Sequence, residues 1–147
     1  MTIFTGEIGG ADGPILDVTL MVTIPRQQAL LRNQMGVPAP VPARLLVDTG
    51  ASHSSIDQRF VTLLDLRPVG QVQIHTPSTG PLPAVADEYD IAIRIQGANG
   101  HTHLIPIAPV FGCDHAGQGI DGLFGRDLLG QGLLVYNGSD NRYALTF

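Results

Sequence analysis

The chain has few charged residues and a single cysteine, and both scarcities limit what it can be. Of its 147 residues only 14% are charged, and the formal net charge is −5 at pH 7. An acidic balance gives no basic face for nucleic acid, so we expect no nucleic-acid partner. Because Cys113 is the one cysteine, no disulfide can form within the chain. We interpret it as a small buried side chain or an unreactive loop thiol.

Long apolar runs are also lacking. No stretch approaches the roughly 20 apolar residues of a membrane helix, so we expect no membrane contact. Residues 1–7 lack the basic-then-apolar order of a secretory signal peptide, and we therefore expect a cytoplasmic protein. What the chain does have is 44% apolar residues, 18 glycines and 11 prolines. That composition is typical of many short strands joined by tight turns, and the length suits one domain.

We expect the stretch 45–52 to organise the rest of the chain. Residues 45–47 are Leu, Leu and Val, which predict a short buried strand. The strand runs into Asp48, Thr49 and Gly50, where the glycine allows a tight turn. A carboxylate at the end of a core strand is held firmly enough for catalysis, although the same residues are common in ordinary turns.

A second stretch, residues 120–129, repeats this design: apolar residues run into Gly125, and a short helical turn follows. Together and in this order, the two stretches resemble the motifs of the retropepsins, the retroviral-type aspartic proteases. The resemblance implies an all-β fold, a closed acid-protease barrel with a flap hairpin and one or two short helices. Residues 1–13 are polar and glycine-rich, and we expect them to form an N-terminal arm before a single protease domain at 14–147.

The resemblance also implies an aspartic endopeptidase with Asp48 as its catalytic residue. Carboxylate catalysis of peptide hydrolysis uses two such groups, one as base on a water and one as acid. Because the chain has one Asp-Thr-Gly, a second copy must supply the other Asp48, so we expect a homodimer. The substrate is then an extended peptide or protein, and we expect no metal and no cofactor. The alternative is a dimer of the same fold that binds a peptide or partner without cutting it.

Further roles follow from the resemblance rather than from the residues themselves. Thr49 is expected to bond across the dimer axis, and Gly50 is expected to offer backbone groups to the substrate. Gly50, Ala51 and Ser52 are expected to line the substrate site. In retropepsins the terminal strands of both subunits interleave, so we expect residues 143–147 to form a sheet edge that a second copy covers.

In the second motif, Gly125, Arg126 and Asp127 are expected to support the catalytic loop. Many retroviral members carry an aspartate where this chain has Ser52, and that aspartate often pairs with the arginine corresponding to Arg126. Here the pair is lost. We therefore expect Arg126 to bond backbone carbonyls or Asp127 instead.

A hairpin is predicted from residues 71–76 and 82–85, with a tip rich in proline and glycine between them. By its place in the chain it corresponds to the flap that closes over substrate. Five residues at the tip are expected to contact the substrate: Thr76, Pro77, Ser78, Thr79 and Gly80.

Two helices are predicted outside the motifs. Residues 26–36 predict a turn or two of helix, with the final glycine as its cap. Asp57 is expected to cap a second helix that runs to about Leu64. Phe60, Leu63 and Leu64 are expected on its apolar face.

Two other patterns point to different chemistry, and we reject both. A run of glycines at 117, 119 and 122 matches a dinucleotide fingerprint, but no βαβ unit surrounds it. Four possible zinc ligands occur in the same half of the chain: His101, His103, Cys113 and His115. We interpret the first two as a solvated strand face rather than as metal ligands.

Overall fold

A computed structural model describes residues 1–75 and 80–147. The strands found there are β1 (Ile3–Gly9), β2 (Gly13–Val22), β3 (Val41–Val47), β4 (Ser55–Asp57), β5 (Gly70–Ile74), β6 (Ala84–Gln96), β7 (Thr102–Cys113), β8 (Gly122–Phe124), β9 (Leu133–Asn137) and β10 (Arg142–Thr146). The helices are α1 (Ile24–Arg32), α2 (Gln58–Leu63) and α3 (Arg126–Leu129). The content is mostly β, as predicted.

Six of the strands close into a barrel. They are hydrogen-bonded in the order β6-β7-β4-β8-β3-β2, and the pairing of β2 with β6 completes the ring. Along β2, Leu16, Val18, Leu20 and Val22 are all buried in the core, because alternate side chains of a strand face the same side. This closed barrel confirms the fold class predicted from the sequence.

Outside the barrel, three strands extend the sheet in the order β1-β10-β9. Residues 3–9, which lie in the expected N-terminal arm, form β1 and place Ile3 opposite Thr146 on β10. Since β10 lies between β1 and β9, the prediction that the C-terminal strand is a sheet edge was wrong. Alternation of apolar residues is the same in inner and edge strands, so the sequence could not distinguish them. On this side of the described sheet the edge strand is β9.

The first helix begins earlier than predicted. Pro25 lies in the first turn of α1, where a missing backbone N–H costs nothing because no intrahelical acceptor is available to it. The Thr23 side chain caps this turn by accepting from the Arg26 N–H at 3.3 Å. The predicted glycine cap was wrong, because the helix ends at Arg32 with Asn33 as its C-cap.

The second helix confirms the predicted cap. The Asp57 carboxylate accepts from the Arg59 N–H at 2.9 Å, at the first turn of α2. Phe60 and Leu64 are buried as expected, but Leu63 is 56% exposed and faces away from the core. Across the described ranges, no helix is long and apolar enough to cross a bilayer.

Candidate active site

The two sequence motifs meet because their strands are parallel neighbours. Leu45 on β3 lies opposite Gly122 on β8, and Val47 lies opposite Phe124, so both strands end at the same edge. On its other side β8 pairs with β4, which places it between the two strands that flank the Asp48 turn. A Cβ at Gly122 would overlap the Ser55 carbonyl. Only glycine therefore allows this close approach.

Asp48 is held by backbone bonds on both sides of the turn. Its N–H donates to the Phe124 carbonyl at 3.0 Å, which continues the strand pairing one residue beyond Val47. Its Oδ1 accepts from the Gly50 N–H at 2.8 Å. These bonds fix the direction of the carboxylate where β3 ends.

Arg126 fastens the same turn from the second motif. Its backbone N–H donates to the Ala51 carbonyl at 2.9 Å, and its guanidinium Nη1 donates to the Thr49 carbonyl at 3.0 Å. Of the two arrangements expected from the sequence, Arg126 thus adopts the one with backbone carbonyls. A Cβ at Gly125 would lie 3.0 Å from the Ala51 carbonyl oxygen, so the helix start and the turn are in close contact.

Asp127 contacts a residue that sequence reasoning missed. Its carboxylate accepts from the Ser54 N–H at 3.0 Å and from the Ser54 hydroxyl at 2.7 Å. The Ser54 hydroxyl in turn accepts from the Gly125 N–H at 2.9 Å. Ser54 is buried, and a serine entering a buried strand is the signal that could have revealed this network.

A groove of about 420 Å3 opens beside Asp48. Gly50, Ala51 and Ser52, all predicted to line a substrate site, lie in its wall, whereas Thr49 is not among the lining residues. The remaining lining residues come from the loop, the predicted flap, β7 and β8: His53, Gln73, Ile74, His75, Phe111 and Leu123. The two histidines were not predicted from the sequence.

The predicted flap hairpin forms from β5 and β6, with Ile74 opposite Ala84. The tip end of β5 reaches the groove through Gln73 and Ile74, and His75 follows them there. Four predicted tip residues, Thr76, Pro77, Ser78 and Thr79, lie outside the described residues. The fifth, Gly80, is exposed and has a φ of +65°, a conformation that favours glycine.

The four possible zinc ligands do not converge. The His103 ring stacks on Phe147, with ring centroids 4.4 Å apart, whereas the buried His115 places Nε2 2.9 Å from both Cys113 Sγ and Ser55 Oγ. Burial raises the pKa of the Cys113 thiol, which favours an unreactive thiol. No group of three or more metal-binding side chains occurs in residues 1–75 and 80–147.

Comparison with known proteins agrees with this geometry. The model of a family described as aspartyl protease matches residues 36–128, a range that contains both motifs. Among solved structures, a retropepsin-like aspartic protease from Rickettsia conorii superposes with a TM-score of 0.55 and 14% sequence identity. The match covers 98% of this chain and 92% of that one, so the likeness is one of fold. No curated protein matches the sequence.

Proposed function

Because the chain belongs to the aspartyl protease family, we propose that it is an aspartic endopeptidase that acts as a homodimer. The observation that carries the proposal is the position of Asp48, at the end of a barrel strand and in the wall of an open groove. The groove is bordered by the tip end of the hairpin strand β5, which suits a site for an extended peptide.

Catalysis in this proposal uses Asp48 from each of two copies. Two carboxyl groups in contact cannot both ionise readily, so the pair shares one proton. The ionised group takes a proton from water, which attacks the peptide carbonyl, while the protonated group donates to the carbonyl oxygen. The Gly50 N–H binds Oδ1, and we propose that Oδ2 faces the partner's carboxyl and the water.

The edge strand β9 is the surface through which we propose that the copies meet. In the described part of the chain it pairs with β10 alone, and it exposes Leu133, Val135 and Tyr136 by 58%, 50% and 59%. An open edge with apolar side chains promotes association unless something covers it. Pairing of β9 with a second β9 about a two-fold axis would cover both edges at once.

The dimer is tested with Val135→Lys, which places a charge on this edge without touching the barrel core. We expect a folded monomer by sedimentation and circular dichroism, with no peptide cleavage. A matched substitution on the exposed helix face, Leu31→Lys, should leave a dimer. A Val135→Lys protein that sediments as an active dimer contradicts the interface.

The activity is tested by digesting a mixed peptide library at several pH values, with and without pepstatin. We expect cleavage that pepstatin inhibits and that Asp48→Asn abolishes. Cleavage by the Asp48→Asn protein at a comparable rate would exclude the aspartic mechanism. Peptide binding without any cleavage would instead support the non-catalytic alternative, a dimer that only binds its partner.

A further inference from the structure

Two histidines line the groove beside Asp48. His53 belongs to the loop that follows Asp48, and His75 directly follows β5, at the end of the strand that leads into the predicted flap tip. Both side chains are exposed. They come from separate segments, so the fold, rather than proximity in sequence, brings them to one groove.

The charges around the groove make these two imidazoles its potential cations. Asp48 is the one carboxylate among the described lining residues, and no arginine lines the groove there. On α3, beneath the loop, Arg126 is bound to the Thr49 carbonyl and Asp127 to Ser54. On β6, beside the strand that leads to His75, Asp87 accepts from Gln71 at 3.4 Å.

The Ser52 hydroxyl orients the His53 ring, with Oγ 3.0 Å from Nδ1. A hydroxyl can donate to Nδ1 of a neutral ring or accept from Nδ1–H of a charged ring. This bond therefore survives protonation of the imidazole. In both states Nε2 can carry a proton and donate to an acceptor in the groove.

We infer that His53 and His75 form a specificity site for an acidic side chain, Asp or Glu, close to the scissile bond of the substrate. The inference rests on the proposed function and deepens it. A substrate carboxylate would accept from the imidazole N–H groups, and such bonds strengthen when the donor is charged. The apolar side chains of Ile74, Phe111 and Leu123 line the same groove and suit apolar neighbours of that acidic residue.

Preference for the acid should grow as pH falls. Histidine is the residue type whose charge ordinarily changes between about pH 5 and pH 8, whereas free glutamate ordinarily loses its charge only at about pH 4.3. An imidazole and a carboxylate are therefore most often both charged in mildly acidic solution. Acidic selectivity and pH are therefore coupled in this site.

The test uses pairs of quenched fluorescent peptides with an apolar pair at the centre, which differ only by Glu or Gln at one flanking position. Gln has nearly the shape of Glu without its charge, so the ratio of the two kcat/KM values isolates the carboxylate. Effects of pH on the catalytic pair cancel in this ratio. At one flanking position we expect Glu to be preferred about tenfold at about pH 5.5 and less than about threefold at about pH 8.

His53→Gln and His75→Gln should each reduce the preference at low pH to about threefold or less. The matched control is His101→Gln, since His101 is exposed and does not line the groove, and it should retain the preference. A ratio near one at every flanking position, or a preference that survives both substitutions, overturns the specificity site.

Failure of the proposed function is recognised separately. If the wild-type protein cleaves no peptide, the same Glu and Gln peptides are made with an uncleavable reduced amide bond, and their binding is measured by fluorescence anisotropy. Tighter binding of the Glu peptide that both substitutions remove supports the specificity site without catalysis. Equal binding of the two peptides, or no binding of either, overturns it.

Discussion

The parallel strands β3 and β8 end alike but present their acids differently. Each apolar strand runs into a turn with a glycine and an aspartate, Asp48 after β3 and Asp127 after β8. Asp127 accepts from the Ser54 N–H, the Ser54 hydroxyl and the Leu128 N–H. Asp48 accepts from the Gly50 N–H and faces the groove. The same sequence design thus gives one carboxylate that is bound within the structure and one that lines the open groove.

The largest expected effects come from neutralising each acid in turn. Asp48→Asn should lower kcat on the order of 10³-fold or more, because it removes the ionisable group, while unfolding free energy changes by less than about 0.5 kcal/mol. Asp127→Asn should instead lower the unfolding free energy and leave kcat nearly unchanged. Loss of a charged acceptor for the buried Ser54 costs about 2 kcal/mol, with kcat retained to within about tenfold at temperatures where the variant is folded.

Both variants are compared by thermal unfolding at one protein concentration, since a dimer's stability depends on concentration. A loss of about 2 kcal/mol corresponds to a fall in Tm of roughly 4–8 °C for a chain of this size. The distinction between the two acids fails if Asp127→Asn leaves the Tm unchanged. It fails equally if Asp48→Asn lowers the Tm as much as Asp127→Asn does.

Glycine-to-alanine substitutions should also distinguish the Asp48 turn from the turn at Gly125 by their effects on stability and activity. At Gly125 a Cβ would lie 2.9 Å from the His53 carbonyl carbon and 3.0 Å from the Ala51 oxygen, both backbone atoms. Gly125→Ala should therefore cost about 1–3 kcal/mol of unfolding free energy. At Gly50 the nearest atom is Asp48 Oδ1 at 3.1 Å, a side-chain tip that can move.

Gly50→Ala should consequently lower kcat/KM, while its loss of unfolding free energy should be smaller than that of Gly125→Ala. Gly36→Ala is the control for both, because nothing lies within 4 Å of a Cβ there. Urea unfolding and peptide cleavage are measured on all three proteins. Equal losses of stability in Gly50→Ala and Gly125→Ala would show that the turns do not differ as described.

A smaller effect is expected where the second motif touches the first. Arg126→Lys keeps the charge but loses the planar guanidinium that donates to the Thr49 carbonyl at 3.0 Å. Because this bond is exposed, we expect a loss of less than about 1 kcal/mol in unfolding free energy. The Asp48 turn should loosen enough to lower kcat/KM a few-fold. Arg32→Lys, in the last turn of α1, is the control and should change neither quantity.

Local signals in the sequence predicted the elements that carry these contacts. The Asp57 cap predicted α2, because the cause lies within a few residues. The two strand-to-glycine stretches predicted the barrel through their resemblance to the motifs of the retropepsins. Both predictions depend on short stretches of residues in a fixed order, which the sequence displays directly.

Contacts between distant segments could not be predicted in this way. Ser54 and Asp127 are 73 positions apart, and neither residue alone indicates the other. The same holds for His53 and His75, which line one groove although they belong to different segments of the chain. The order β1-β10-β9 could not be predicted either, because these strands have similar patterns of apolar residues. Which strands pair depends on tertiary packing, which periodicity does not encode.

A third carboxylate, Asp57, allows the comparison to be tested with pH. Its Oδ1 accepts from the Arg59 N–H at 2.9 Å and its Oδ2 from the His115 N–H at 2.8 Å. The backbone bond from Arg59 is the main cause that holds the pKa of Asp57 below its ordinary value, and the bond from His115 acts in the same direction. Asp57 therefore resembles Asp127 in being bound by N–H donors of other segments of the chain.

The sign of the pH dependence follows from this lowered pKa. A carboxyl with a lower pKa in the folded than in the unfolded chain stabilises the fold while both forms are ionised, and that contribution disappears as pH falls through the folded pKa. Asp57→Asn leaves one oxygen for two N–H donors, so it should cost about 1 kcal/mol near pH 7. Below about pH 4 the difference from wild type should shrink, because the wild-type carboxyl protonates. Urea unfolding near pH 7 and below about pH 4 measures the difference in unfolding free energy between Asp57→Asn and wild type. The control is Asp12→Asn, because Asp12 is exposed in the β1–β2 turn. If the difference in unfolding free energy grows on acidification, its sign contradicts the prediction, and ionised Asp57 does not stabilise the fold.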